Sequence, residues 1–228
     1  MFLKILFVLD LIFILLHSVF ITYYSLNYDI LRLDAISPNA PEFFQYLKYL
    51  GIICFALYLL SVKKNQLYFT FILLFLFLLI DDVTQLHQIV GRYFVEWINL
   101  KMTFKRKVYP VFGQIIYLLI TLIIFSIVFI TQFKFTSANN KKLLLSIFKF
   151  LGVFLFFGVF LDLIHTITSD YVFISKILTI IEEGGEMLSL SLIVWLFYLL
   201  TFKPEKTGGQ SLLGFFHFKK KSEHVNMH

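Results

Sequence analysis

Six stretches of the chain carry almost unbroken apolar side chains, with short polar intervals between them. They lie near residues 3–25, 43–62, 67–88, 110–132, 143–166 and 177–201. Each reaches the roughly 20 residues a helix needs to cross a bilayer's hydrocarbon layer. The pattern predicts an all-α fold, a polytopic transmembrane helical bundle of about six spans over residues 1–202. A basic, aromatic tail follows over 203–228. The first run has too long an apolar core for a signal peptide, holds Asp10, and precedes no small-residue cleavage pattern. It is expected to be a retained helix.

The intervals carry information of their own. Residues 26–42 include "SPNAPE", whose prolines disfavour helix and mark a loop. Residues 89–109 mix aromatics with Arg92, Lys101, Lys105, Arg106 and Lys107, which suits an amphipathic segment at the membrane surface. Residues 133–142 end in the polar turn "SANNKK". Six spans put both termini on one side. With the termini cytoplasmic, that side receives Lys4, Lys63, Lys64, Lys134, Lys141, Lys142 and Lys219–Lys221, and the acidic first loop lies outside. The basic 89–109 segment is the exception to this orientation.

Composition sharpens the class. Charged residues make up 15% of the chain and hydrophobic ones 59%, so lipid rather than water must be the solvent for most of the surface. The net charge of +6 is dispersed in short clusters between apolar runs, which excludes a nucleic-acid-binding patch. Cys54 is the single cysteine, so no intramolecular disulfide forms. The tail stretch "LLGFFHFKKK" is expected to bind anionic lipid headgroups. The expected location is a bacterial cytoplasmic membrane.

Against this apolar background the polar residues stand out. The first run holds Asp10 and His17. The third ends with Asp81, Asp82, Gln85, His87 and Gln88, and the fifth with Asp162 and His165. The sixth begins with Glu182, Glu183 and Glu186, whereas the second and fourth runs look nearly bare of such groups. Alternate spans run in opposite directions. At about 1.5 Å per residue, His17, Asp81 and Asp162 lie about 20–30 Å from the inner boundary, and Glu182 to Glu186 about 6–14 Å from the outer one. The two ranges overlap in one layer of the outer leaflet.

Helical spacing gives each run one polar face: Asp10 with His17, Asp162 with His165, Glu182 with Glu186 and Ser189. Asp82 and Glu183 point away from these faces. A charged acid facing lipid at a span centre costs about 2.5–3.5 kcal/mol, so these faces are expected to turn inward and pair. Gly184 and Gly185 sit between the acids, where small residues admit a close neighbour or loosen the helix.

The motifs "DDVTQLH" (Asp81–His87) and "EEGGEM" (Glu182–Met187) resemble those of an uncharacterised family of bacterial multi-pass membrane proteins. The resemblance implies a membrane bundle and brings no activity with it. The residues themselves point first to a divalent metal. Carboxylates with imidazoles and no thiolates suit Fe, Mn or Zn. "DLIH" is the Asp version of the Glu-x-x-His element of carboxylate-bridged bundles. The expected ligands are His17, Asp81, His87, Asp162, His165, Glu182 and Glu186.

Three other readings stay open: a proton- or cation-coupled transporter or channel using the acids as a relay, a b-type haem protein with histidine axial ligands, and a structural membrane subunit. No hydrolase triad, phosphate-binding glycine loop or dinucleotide fingerprint occurs. Neither the substrate nor the choice between enzyme and carrier is written in the residues.

Overall fold

Antiparallel helices joined by very short turns fix the arrangement of the bundle. The computed structural model describes residues 1–27, 40–97, 109–135, 138–168 and 171–202, and these are helical almost throughout, with no strand among them. The tail over 203–228, most of the first loop, and Lys101, Lys105, Arg106 and Lys107 lie outside the described residues.

Helix α1 spans Phe2–Asn27 and α2 spans Ala40–Lys63. Pro41 falls in the first turn of α2, where its missing N–H costs nothing. Glu42 in that first turn and Lys63 in the last both complement the helix dipole. Lys64 then adopts a left-handed conformation, with φ 49°, and its N–H bonds the Leu60 carbonyl at 2.9 Å. Asn65 caps the next helix by accepting from Leu67 N at 3.0 Å. With only two residues between them, α2 and α3 (Gln66–Thr84) must pack as an antiparallel hairpin.

The third apolar run stops earlier than its hydrophobicity suggests. Gln85 takes a left-handed conformation (φ 51°, ψ 41°), and its N–H bonds the Asp81 carbonyl. A new helix, α4 (Leu86–Trp97), starts at once. Part of the expected surface segment is therefore a helix, and it packs on α5 (Tyr109–Phe135). The two cross at Gly91 and Gly113. A Cβ on Gly91 would lie 2.7 Å from the Gln114 backbone nitrogen, so only glycine allows this approach.

The fifth run is not one straight helix. It comprises α6 (Ala138–Leu155), a π-helical stretch over Phe156–Leu161, and α7 (Asp162–Thr168). The last helix, α8 (Val172–Phe202), is continuous and central, packing against α1, α2, α6, α7 and the π stretch. Gly184 and Gly185 do not break it. They admit close neighbours: Ile14 lies over Gly184, and the Phe157 ring occupies the space a side chain at Gly185 would need.

Apolar packing fills the lower half of the bundle. Tyr49, Ile52, Ala56 and Leu59 of α2, Leu67, Phe71 and Phe75 of α3, and Leu190, Ile193 and Phe197 of α8 form one buried cluster. Phe197 meets Phe71 and Phe75 edge-on, at centroid distances of 5.7 and 6.1 Å. The outside is equally apolar: Leu122, Ile123, Ile124 and Ile127 of α5 are all more than half exposed. Water would penalise such a surface and lipid would not. Among the described residues five helices are long and apolar enough to cross a membrane, and Leu145–Leu161 is a shorter apolar helix. This fits a multi-pass membrane protein.

Candidate functional site

Helix α8 presents two polar columns, and each meets different partners. Glu183, Met187 and Ser191 succeed one another at four-residue spacing and face α1. Ser191 Oγ donates to Asp10 Oδ2 at 2.6 Å, and His17 Nε2 lies 2.9 Å from Glu183 Oε2. Asp10 and His17, seven residues apart, thus become two rungs of an antiparallel α1–α8 pair. Both are buried.

Lys48 completes the lower rung. Its Nζ forms an ion pair with Asp10, donates to the Met187 carbonyl at 2.9 Å, and lies 4.4 Å from the centre of the Phe44 ring. Every charge in this cluster has a partner, as burial requires. Lys48 escaped the sequence reading because a single lysine near a span end normally reaches out to headgroups. The available signal was a lone base in one run and a lone acid in the neighbouring run.

The second column, Glu182 and Glu186, faces α7, the π stretch and α2. Glu182 Oε2 lies 3.4 Å from His165 Nδ1. The other ring nitrogen of His165 sits 2.8 Å from Ser175 Oγ and 3.3 Å from Thr179 Oγ1, which fixes the ring plane. Asp162, three residues before His165, lies on the same side. One donor atom from each of Asp162, His165 and Glu182 falls within 4.8 Å of the others. Glu182 Oε2 is buried, and the His165 imidazole is its partner.

Glu186 lies one turn further along. Its Oε2 accepts from Gln45 Nε2 at 3.3 Å, and its Oε1 occupies the space that a side chain at Gly158 would fill. The π stretch carries both Gly158 and Phe157, so its wide turn shapes the wall facing Gly185 and Glu186. Such turns often occur where a helix serves a site.

Asp81 is heavily committed. It accepts from Tyr117 Oη, from His87 N and from His87 Nδ1, each at 3.0 Å. It therefore ties α5 to the start of α4 and orients His87. Burial works against a charge on His87. The hydrogen bond and charge of Asp81, with Asp162 and Asp82 beyond, outweigh it and raise its pKa above the ordinary imidazole value.

Of the seven expected ligands, the fold brings Asp162, His165 and Glu182 into one cluster. It sets Glu186 beside them and pairs Asp81 with His87 at the edge. His17 turns to the other column, where it meets Glu183, an acid expected to point away. Lys48, Gln45, Tyr49, Tyr117 and Ser191 enter the network without a periodic signal to announce them.

The chain belongs to the family described as a domain of unknown function, DUF8692, which it matches over residues 5–202. That stretch contains both polar columns. Neither a curated protein nor a solved structure matches it.

Proposed function

We propose that this chain is a multi-pass protein of a bacterial cytoplasmic membrane that holds a divalent metal ion between α7 and α8. Asp162, His165 and Glu182 are the ligands. The observation that carries the reading is the convergence of these three donors within 4.8 Å of one another, with Glu182 Oε2 facing His165 Nδ1. Buried carboxylate oxygens need a proton, a donor or a cation, and a divalent ion satisfies two acids at once.

The donor set of one imidazole and two carboxylates suits Fe, Mn or Zn. Ser175 and Thr179 hold His165 by its other nitrogen, as outer partners of metal-bound histidines do. An ion held by three protein ligands keeps open positions, so it would supply Lewis-acid or redox chemistry to a substrate arriving from the outer leaflet.

The test is the metal content of protein purified without chelators. Wild type should carry stoichiometric metal, and His165→Ala, Asp162→Asn and Glu182→Gln should each lose most of it while still inserting. Metal-free wild type, or variants loaded as fully as wild type, would sink the reading. A haem Soret band would replace it with a different one.

A cation- or proton-coupled carrier is the second reading. Its support is that the acids continue past the three ligands, from Glu182 through Glu186 to Asp82, near enough for their charges to interact. Ion flux that disappears in Glu186→Gln, without any bound metal, would favour it. In either case the termini are proposed to face the cytoplasm, with the tail over 203–228 against anionic headgroups.

A further inference from the structure

The turn between α7 and α8 sets three side chains in a row. Tyr171 N bonds the Thr168 carbonyl at 2.8 Å, and Ser175 N bonds the Tyr171 carbonyl at 2.9 Å. The chain reverses at once, so the first turn of α8 lies against the last turn of α7. Ser175 Oγ comes to rest 2.8 Å from His165 Nε2, and Glu182, further along α8, places Oε2 3.4 Å from His165 Nδ1. A hydroxyl, an imidazole and a carboxylate thus follow one another across a single ring. Nucleophile, base and orienting acid stand in the same order in hydrolytic triads. No motif along the chain announces it, because the members come from two helices that only the turn brings together.

Hydrogen bonding assigns the protons. An ionised carboxylate only accepts, so Nδ1 carries the ring proton toward Glu182 and Nε2 is left to accept. Thr179 Oγ1 lies 3.3 Å from Nε2 but gives its proton to the Ser175 carbonyl at 3.1 Å. Ser175 Oγ–H is then the donor into Nε2, the tautomer in which a neighbouring base activates serine. Ser175, His165 and Glu182 are each half-buried rather than sealed. Ser175 lies near the start of the apolar stretch Phe173–Phe202, where a membrane meets water, and Tyr171, Phe173 and Ile174 beside it are exposed. The N–H groups of Val172, Phe173 and Ile174, in the first turn of α8, have no intrahelical acceptor. That end of the helix is positive and suits a developing oxyanion.

We propose that Ser175, His165 and Glu182 form a nucleophilic triad acting on carboxylic esters that carry an apolar chain and arrive from the bilayer. Ser175 Oγ attacks the ester carbonyl carbon while its proton passes to His165 Nε2. The bond from that carbon to the alcohol oxygen breaks, and the alcohol leaves with the proton while the acyl group stays on Ser175. Water then attacks the acyl carbon and gives a proton to Nε2. The carboxylic acid departs as Ser175 Oγ takes that proton back. Glu182 is a positioning residue that holds the ring in the required tautomer. The triad does not rest on the metal reading, because the two use His165 differently. A divalent ion on Nδ1 would move the ring proton to Nε2, which would then donate to Ser175 and leave it inert. The metal-free protein is the active form.

The probe is a long-chain alkyl fluorophosphonate, added to full-length, chelator-stripped protein in detergent. Ser175 Oγ displaces fluoride from phosphorus, and intact mass with peptide mapping counts and places the adduct. Wild type should take one group, on Ser175. Ser175→Ala should take none, nor should heat-unfolded wild type. His165→Gln and Glu182→Gln should each label about 100-fold more slowly or worse. Glu182→Asp keeps the charge and should retain far more of the rate than Glu182→Gln. Ser61→Ala on α2 and Glu96→Gln on α4, both exposed, should label like wild type.

Wild type that stays unlabelled, or label that persists in Ser175→Ala, overturns the triad. So does an unchanged rate in His165→Gln, which would mean an accessible hydroxyl and nothing more. Zn²⁺ added before the reagent separates the two readings of this site. Protection by bound Zn²⁺ upholds both. Labelling of a protein that binds no Zn²⁺ upholds the triad and overturns the metal site. Bound Zn²⁺, with no labelling after its removal, upholds the metal site and overturns the triad.

Discussion

Lys48 of α2 and Asp10 of α1 form an ion pair inside the bundle, with their side chains 2% and 0% exposed. Ser191 and the Met187 carbonyl of α8 supply the remaining hydrogen bonds. Three helices therefore meet at one charged point. Lys48→Met or Asp10→Leu alone strands a buried charge and should cost about 3–5 kcal/mol. The double substitution removes both charges and should recover most of that loss. Thermal unfolding in detergent would measure all three. Equal, additive losses would show that the pair is not coupled.

The glycines separate into two classes. A Cβ at Gly113 would overlap the Gly91 backbone, and one at Gly185 would overlap the Phe157 ring. Gly113→Ala and Gly185→Ala should each destabilise by about 1–3 kcal/mol, the usual range for overpacking. Gly51 and Gly152 have nothing within 4 Å of that position. Gly51→Ala and Gly152→Ala should be neutral or stabilise by up to about 1 kcal/mol through helix propensity. If all four behaved alike, the crossing geometry would be wrong.

Ligand linkage gives a stability test of the α7–α8 site. A divalent ion at 100 times its Kd should stabilise the protein by about 2.7 kcal/mol. The shift should vanish in Glu182→Gln and persist in Glu96→Gln. A shift of the same size in both variants would mean that the ion acts non-specifically.

His87 sets a pH dependence. Its native pKa lies above the ordinary value of 6.5, because Asp81, Asp162 and Asp82 together outweigh the effect of burial. The folded chain thus holds this proton more tightly than the unfolded one. The resulting stability is fully present below the unfolded value and is lost as pH rises through the native one. His87→Gln should therefore cost most near pH 6 and progressively less toward about pH 8. A cost that grew with pH would reverse the sign and rule out the charged pair.

Orientation is open to chemical labelling. In a Cys54→Ala background, Gln210→Cys should resist an impermeant thiol reagent in intact cells and react after permeabilisation. Labelling in intact cells would place the termini outside.

Apolar runs long enough to span a bilayer determined the helical class by themselves, because in lipid the backbone has no other solvent for its N–H and C=O groups. Helical spacing likewise paired Asp162 with His165 and Glu182 with Glu186, since neighbours three or four apart share a face in any regular helix. Partners across helices were beyond that reach. Spacing could not say that α8 uses two columns, sending Glu183 to His17 and Glu182 to His165. Nor could it say that Lys48 turns inward to Asp10 rather than out to headgroups. Hydrophobicity passed straight through Gln85 and through Phe156–Leu161, where a left-handed residue and a π turn redirect the chain. Those breaks depend on what the freed groups bond. Asp81 takes up the start of α4, and Gly158 makes room for Glu186. A residue's own helix sets its face, but only the packed neighbours decide which polar group that face meets.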